Sequence, residues 1–399
     1  MIDLKAARHD PESYRTALER KGAADAFDAV LEADERWRAL VPKIDELRRR
    51  TKVKGRPSAE QLAELQAVKD ELRAAEEELA AAEAERDRLV LRIPNLPAGD
   101  VPDGATENDV KEIRRVGTPD ESGDARAHIE IGRFDMERAA RMSGARFGYW
   151  IGDTALLALA LYRFALDRLV AKGFVTVLPP VLVREEALIG TGAFPSDEAN
   201  VYELEADGLY LSGTAEIPLA SLHSGEILET AELPLRYVAF SPCFRREAGA
   251  AGRDTRGMIR VHQFNKVEQF SLTRPENSWD EHEFLLANTE ELVRELELPY
   301  RVVVLPAGDI SIASAKTYDV EIWFPSQGRY RETASISNTT DYQARRLGVR
   351  HRGERGLEPV HTLNGTAVVD RMALAILENF RGEVPDVLRR FGAPDRVSR

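Results

Sequence analysis

Apolar residues in the first hundred positions recur at steps of three and four, a spacing that predicts two long helices facing each other. In the first, Val30, Ala33, Trp37, Leu40, Ile44 and Leu47 share one stripe. In the second, Leu65, Val68, Leu72, Ala75, Leu79, Ala82, Leu89 and Ile93 do, with Arg86 as the one polar member. An apolar stripe on a lone helix stays wet, so each helix predicts the other as its partner. The residues between them, Thr51 to Ser58, leave room only for a reversal. The expected product is an antiparallel helical hairpin over about 28–92, roughly 35 to 50 Å long at 1.5 Å per residue. Pro42 falls inside the first helix. A proline there removes a backbone hydrogen bond at a cost of about 3 kcal/mol, and predicts a kink.

Beyond the hairpin the pattern changes. Ile93-Pro94-Asn95-Leu96-Pro97 and the Gly-, Asp- and Pro-bearing stretch up to Gly123 read as a linker. From about Ala127, helical stretches near 135–141 and 153–172 alternate with strand-like runs. Those runs are Val175 to Leu178, Tyr237 to Phe240, Val267 to Leu272, Tyr300 to Leu305 and Val320 to Phe324; a last helix begins near Val368. Strands this close together, with few helices between them, predict an α+β domain: a mainly antiparallel sheet flanked by helices. The expected partition is 1–100 as an N-terminal domain carrying the arm, 101–126 as linker, and 127–399 as the catalytic domain.

Composition narrows the class. With 399 residues, 43% hydrophobic and 31% charged, the chain is long enough for two or more soluble domains. No window approaches the run of about 18 apolar residues that a membrane span needs, and the charged opening MIDLKAARHD has no signal-peptide stretch. Cys243 stands alone, which rules out an internal disulfide and a multi-cysteine zinc site and fits a reducing cytoplasm. The net charge of −13 speaks against indiscriminate nucleic-acid binding. Basic charge does collect at the hairpin's bend: Arg48, Arg49, Arg50, Lys52, Lys54 and Arg56. That cluster is either a solvated turn or a contact for a phosphate backbone.

Three constellations carry candidate chemistry. Phe244 to Glu268 holds five arginines, one lysine and three glycines between strand-like flanks. An arginine fork matches phosphate bidentately and glycine permits close backbone approach, so the hairpin is either an anion cradle or an exposed basic loop. Glu247 and Glu268 in the same hairpin favour a small ligand bearing both charges. In Arg331-Glu332-Thr333-Ala334-Ser335, a carboxylate and a hydroxyl close together on a strand can share Mg²⁺ with phosphate oxygens. In His361 to Arg371, an arginine opening a helix beside a Gly365-Thr366 turn can hold a terminal phosphate. Neither a GxxxxGK[ST] nor a GxGxxG is present, so the parallel-sheet nucleotide sites are excluded.

Taken together, the helical arms, IPNLP, VLPPVLV (177–183), GTAEIPL (213–219), FRREAG…KVE, YRETASISN (330–338) and HTLNGT (361–366) resemble seryl-tRNA synthetases of the bacterial type, a class II family. The resemblance implies ligation of L-serine to tRNA(Ser), with tRNA(Sec) as a second acceptor, and Mg²⁺-ATP as cosubstrate without zinc. It also implies a homodimer formed around Pro179 and Pro180. Residue by residue, it places Arg245 at the α-phosphate, Glu247 at the adenine amino group and Phe264 on the adenine ring. Arg256 and Arg371 fall at the terminal phosphate, with Arg246, Val261, Thr333 and Ala334 beside the nucleotide. Glu332 and Ser335 fall at the metal, and Thr214, Ala215, Glu216, Glu268 and Thr366 around serine. Arg245, Glu268 and Arg371 are the implied catalytic groups, and the basic bend is implied to meet the long variable arm of the tRNA.

The chain departs from the family pattern at Ala334, Ile336, Ala250 and Asp370, and its 128–142 stretch is short. Asp370 is expected to pair with Arg371 and compete with phosphate. These departures admit a divergent paralogue serving specialised metabolism or inhibitor resistance, or a catalytically idle tRNA-binding homologue. A ligase that loads carrier proteins is disfavoured, because such relatives lack the arm.

Overall fold

The computed structural model describes residues 1–52, 58–123, 125–249, 257–354 and 356–398. They divide into two compact units, Met1–Leu96 and Pro97–Arg399.

The first unit is built on helices α1 (Ala24–Arg50) and α2 (Ala59–Val90). Ser58 starts α2 with a capping box: its hydroxyl accepts from Gln61 N at 3.2 Å, and the Gln61 side chain accepts from Ser58 N at 2.8 Å. Ile44 and Leu47 of α1 bury against Val68 and Ala75 of α2. Nearer the base, Phe27, Val30, Val90 and Ile93 join Ile2, Ala7 and Leu18 in a second apolar cluster. Cross-helix pairs give an antiparallel register: Arg48 meets Glu76 at 2.9 Å, and the Arg86 guanidinium lies 4.2 Å from the Trp37 ring centroid. The one polar member of the second stripe is thus accommodated by an aromatic face and by Asp87 at 2.6 Å. α1 runs without a break through Pro42.

The second unit is an eight-stranded sheet. In chain order its elements are β1 (Lys111–Val116), α3 (Asp153–Ala171), β2 (Val175–Val177), α4 (Glu216–Ser221), β3 (Leu235–Phe244), β4 (Gln263–Thr273) and α5 (Ser278–Glu295). Then follow β5 (Tyr300–Val304), β6 (Lys316–Phe324), β7 (Arg329–Asn338), β8 (His361–Val369) and α6 (Asp370–Asn379). The order across the sheet is β1-β5-β6-β7-β8-β4-β3-β2, antiparallel throughout except for β2 beside β3.

β1 corrects the linker expected over 101–126. Its residues KEIRRV are almost wholly exposed, so no apolar alternation marks them in the sequence. They form an edge strand against β5, of the charged kind that discourages further pairing.

Side chains alternate across the strands, and that alternation sorts chemistry from packing. Tyr318, Val320 and Ile322 of β6, and Ala334 and Ile336 of β7, join the core with Leu161 of α3, Leu285 of α5 and Leu374 of α6. Their neighbours in sequence, Ser335 and Ser337 of β7 and Asn364 and Thr366 of β8, open onto a cavity on the opposite face.

Candidate active site

The cavity has a volume of ≈ 280 Å³ and is lined by residues from several elements. The end of β3 supplies Arg245 and Glu247, and β4 supplies Phe264, Lys266 and Glu268. The stretch opening α4 supplies Thr214 and Glu216, β7 supplies Glu332, Thr333 and Ser335, and the β8–α6 junction supplies Thr366 and Arg371. Residues more than 150 positions apart therefore meet because the β4–β8 and β7–β8 ladders are adjacent.

One end is basic. Arg245 lies with its guanidinium carbon 5.4 Å from the Phe264 ring centroid, and its Nε donates to Gly213 O at 3.4 Å. Arg371 donates to the backbone carbonyl of Glu332, and its second amine lies 3.5 Å from Ile259 O. Among the described residues its buried Nε meets no hydrogen-bond partner. Glu247 pairs with Arg260 at 2.7 Å.

The other end holds paired opposite charges. Glu268 is 1% exposed and ion-pairs with Lys266, whose Nζ also donates to Thr214 Oγ1 at 2.8 Å. Glu216 accepts from Gln343 Nε2 at 2.7 Å. Enclosure, and then the Glu268 charge, push the Glu216 carboxyl up to about 7. Burial likewise raises Glu268, against the opposing pull of Lys266.

Several expected site residues do not reach this cavity. Ala215 is 1% exposed and packs with Leu219 and Ala239. Ala334 points to the helix-covered face, because it alternates with the cavity-facing Ser335. Arg246 is directed to Tyr202, 5.8 Å from the ring centroid, while its N–H bonds Asn200 O at 2.8 Å. The Gly365-Thr366 pair is not a turn but the interior of β8, opposite Gln269 and Glu268. A Cβ at Gly365 would lie 3.1 Å from Ile336 Cγ1, so any larger residue there would press on the Ile336 side chain where β7 and β8 approach closely.

Asp370 also behaves differently from expectation. Its carboxylate turns away from Arg371, accepting from the Tyr162 hydroxyl and from Asn265 N at 3.0 Å. Burial pushes it up to about 6. Tyr162 lies on α3, more than 200 residues earlier, so adjacency in sequence gave the wrong partner. Ile336, the other departure on β7, is fully buried in the core and does not line the cavity.

Sequence reasoning overlooked Lys266, Ser311, Ser314, Asn364 and Arg260 as cavity residues. Lys266 carried a legible signal: a lysine two positions before Glu268 on one strand shares its face in a regular ladder. Ser311 and Ser314 sit between strands and had none. Arg256, Ala250, Lys54 and Arg56 lie outside the described residues. At the hairpin end, Arg48 pairs with Glu76 and Arg49 with Glu46 at 2.9 Å, while Arg50 and Lys52 are exposed.

Residues 201–380 match the tRNA synthetase class II core domain family (G, H, P, S and T), and residues 1–97 match the seryl-tRNA synthetase N-terminal domain. The serine–tRNA ligase of Rhodospirillum centenum is 44% identical over 422 residues, spanning 100% of this chain and 99% of its own length. That of Thermobifida fusca is 44% identical, spanning 99% and 98%. The chain belongs to the serine–tRNA ligase family. Seryl-tRNA synthetase from Pyrococcus horikoshii, solved in complex with ATP, superposes with a TM-score of 0.92 at 40% identity, covering 100% of this chain and 99% of the other. The α+β fold, with a helical N-terminal domain and a class II core, is that of the family.

Proposed function

We propose that the chain activates L-serine with ATP and transfers the seryl group to the terminal ribose of tRNA(Ser). The observation that carries this reading is one cavity with two ends of opposite character: Arg245 and Arg371 at one, Glu216 and Glu268 at the other. A triphosphate suits the first end and an α-ammonium with a hydroxyl suits the second. Serine bound by its ammonium at Glu216 and Glu268 directs its carboxylate toward the α-phosphorus. Arg245 offsets the charge that grows as pyrophosphate departs, and no protein nucleophile is required. Phe264 offers a ring face to adenine, and Arg371 holds the terminal phosphate. In the second step the tRNA ribose hydroxyl attacks the seryl adenylate. An adjoining cavity of ≈ 420 Å³, which shares Thr214, Glu216 and Arg245, gives the incoming acceptor end room.

Glu332 and Ser335 fit the Mg²⁺ expected with ATP: their oxygens lie 3.4 Å apart on the cavity wall, and both are hard donors. Among the described residues no three His, Cys, Asp or Glu side chains form a ready metal cage, which suits an ion that is bound partly by phosphates. When bound, Mg²⁺ neutralises phosphate charge as the anhydride breaks.

Two further parts of the reading concern partners. Apolar side chains are exposed on α3 and just beyond β2, with Leu159 at 59% and with Leu178, next to Pro179 in the sequence, at 79%. They suit burial against a second copy of the chain. The exposed basic end of the α1–α2 hairpin suits tRNA phosphates. No helix among the described residues is long and apolar enough to cross a membrane, and the lone thiol of Cys243 is buried, in keeping with a cytoplasmic enzyme.

The test is ATP–pyrophosphate exchange that requires serine, followed by serylation of tRNA(Ser). Exchange that ignores serine would overturn the reading, and a chain that binds tRNA without exchange would be the idle homologue. The serine end also predicts a pH dependence. Glu216 titrates at about 7, so its anionic form, the one that pairs with ammonium, fills between pH 6 and 8. The KM for serine should fall over that interval and the dependence should flatten in Glu216→Gln. Because this carboxyl is raised above its ordinary value, its contribution to stability is present at acid pH and lost as pH rises through about 7. Serine should then protect the fold most at pH 8.

A further inference from the structure

We propose that His128 is a positioning residue for the phosphate end of the cavity, acting through the backbone at Met258; this rests on the reading of that end as the seat of ATP. His128 opens the short helix His128–Ile131 and is 3% exposed. Its Nε2 meets Met258 N at 3.1 Å, and its Nδ1 lies 2.7 Å from Glu378 Oε1. A backbone N–H can only donate, so Nε2 is the bare nitrogen and the ring proton sits on Nδ1. Glu378 imposes that choice. Its Oε1 also accepts from His128 N at 3.1 Å, and its Oε2 from Ser326 N at 3.2 Å. Burial alone would raise this carboxyl, but the bonds from His128 and Ser326 hold it below its ordinary value, so it accepts and does not donate.

Met258 lies between the end of β3 and the start of β4, and the residues that follow it line the phosphate end. Ile259 O lies 3.5 Å from an Arg371 amine, and Arg260 pairs with Glu247 at 2.7 Å. Arg371 and Glu378 stand two turns apart on α6, so they leave one face of that helix. Arg371 reaches Ile259 directly, and Glu378 reaches Met258 through the imidazole. Ser326 belongs to the turn that joins β6 to β7, and β7 carries Glu332, whose carbonyl accepts from Arg371. One carboxylate thus braces α6, the β6–β7 turn and the segment after Met258 against one another. The fit is close: Gly257 holds a φ of +78°, and a Cβ there would lie 2.6 Å from His128 Nε2. The sequence does not show this pair, because His128 and Glu378 are 250 positions apart.

The experiment measures the KM for ATP and for serine by pyrophosphate exchange in the full chain, for the unaltered protein, His128→Asn, His128→Gln and Glu378→Gln. Asparagine reaches Glu378 but puts nothing at the Nε2 position. The KM for ATP should then rise about tenfold, the scale of a buried donor left unpaired, while that for serine stays within about twofold. Glutamine carries an acceptor oxygen to the Nε2 position and should recover most of the loss. Glu378→Gln keeps the shape but offers one acceptor oxygen where two are used, and should resemble His128→Asn. Equal rises for both substrates, or His128→Gln no better than His128→Asn, would overturn the proposal and leave the ring as packing. The tautomer gives a reading that does not depend on activity. In ¹⁵N spectra of the histidine-labelled unaltered chain, the ring signal missing from whichever His128 variant folds should show a protonated Nδ1 and a bare Nε2. The reverse assignment would overturn the proposal. An unaltered chain without serine-dependent exchange would overturn the proposed function instead, and the tautomer would then decide the Met258 anchor by itself.

Discussion

Arg245→Ala is expected to lower serine-dependent ATP–pyrophosphate exchange by about 10³-fold, the scale seen when a preorganised charge donor is taken from a developing anion. The loss should fall mainly on kcat, because the guanidinium is needed most while the phosphoanhydride breaks. Structural collateral is small. Among the described residues the side chain makes one long bond, to Gly213 O at 3.4 Å, and rests against Phe264, while the β3–β4 pairing is made by backbone atoms. Sedimentation and thermal unfolding should therefore match the unaltered chain. Exchange within a few-fold of normal would mean that the β3–β4 hairpin is not the phosphate cradle.

Shortening the α1–α2 hairpin is expected to separate the enzyme's two reactions. The antiparallel register decides where to cut: Lys43 and Glu78 face each other at 4.0 Å, so deleting both and everything between, and joining Pro42 to Leu79 through a short turn, keeps the remaining helices in phase. The deletion removes the small Ile44, Leu47, Val68 and Ala75 cluster together with the basic end. It leaves the Phe27, Val30, Val90 and Ile93 cluster intact. Aminoacylation efficiency should fall by about 100-fold or more while serine activation without tRNA persists. In the unaltered chain, tRNA affinity should decline with salt by a slope of about 0.7 to 0.9 per phosphate neutralised. Unchanged tRNA affinity after the deletion would leave the basic cluster as a solvated turn.

What the sequence determined by itself is whatever short-range spacing encodes. The heptad stripes specified α1, α2 and their pairing, since a 3.5-residue repeat buries only against a partner helix. Each strand-like run beyond residue 127 lies in the sheet, because alternating or continuous β-branched residues mark half-buried and buried strands. The FRREAG…KVE, YRETASISN and HTLNGT segments were identifiable as chemistry from residue type and order. The tertiary structure decided which side each residue faces and which residues meet. Ala334 and Ala215 turned into the core, and Asp370 found Tyr162 instead of its neighbour Arg371. β1 joined the sheet with almost no apolar signal, because an edge strand needs backbone partners more than buried side chains. Asp319 came to lie beside Ser335 through a ladder register, and a register between strands is set by pairing across the fold, which local sequence does not contain.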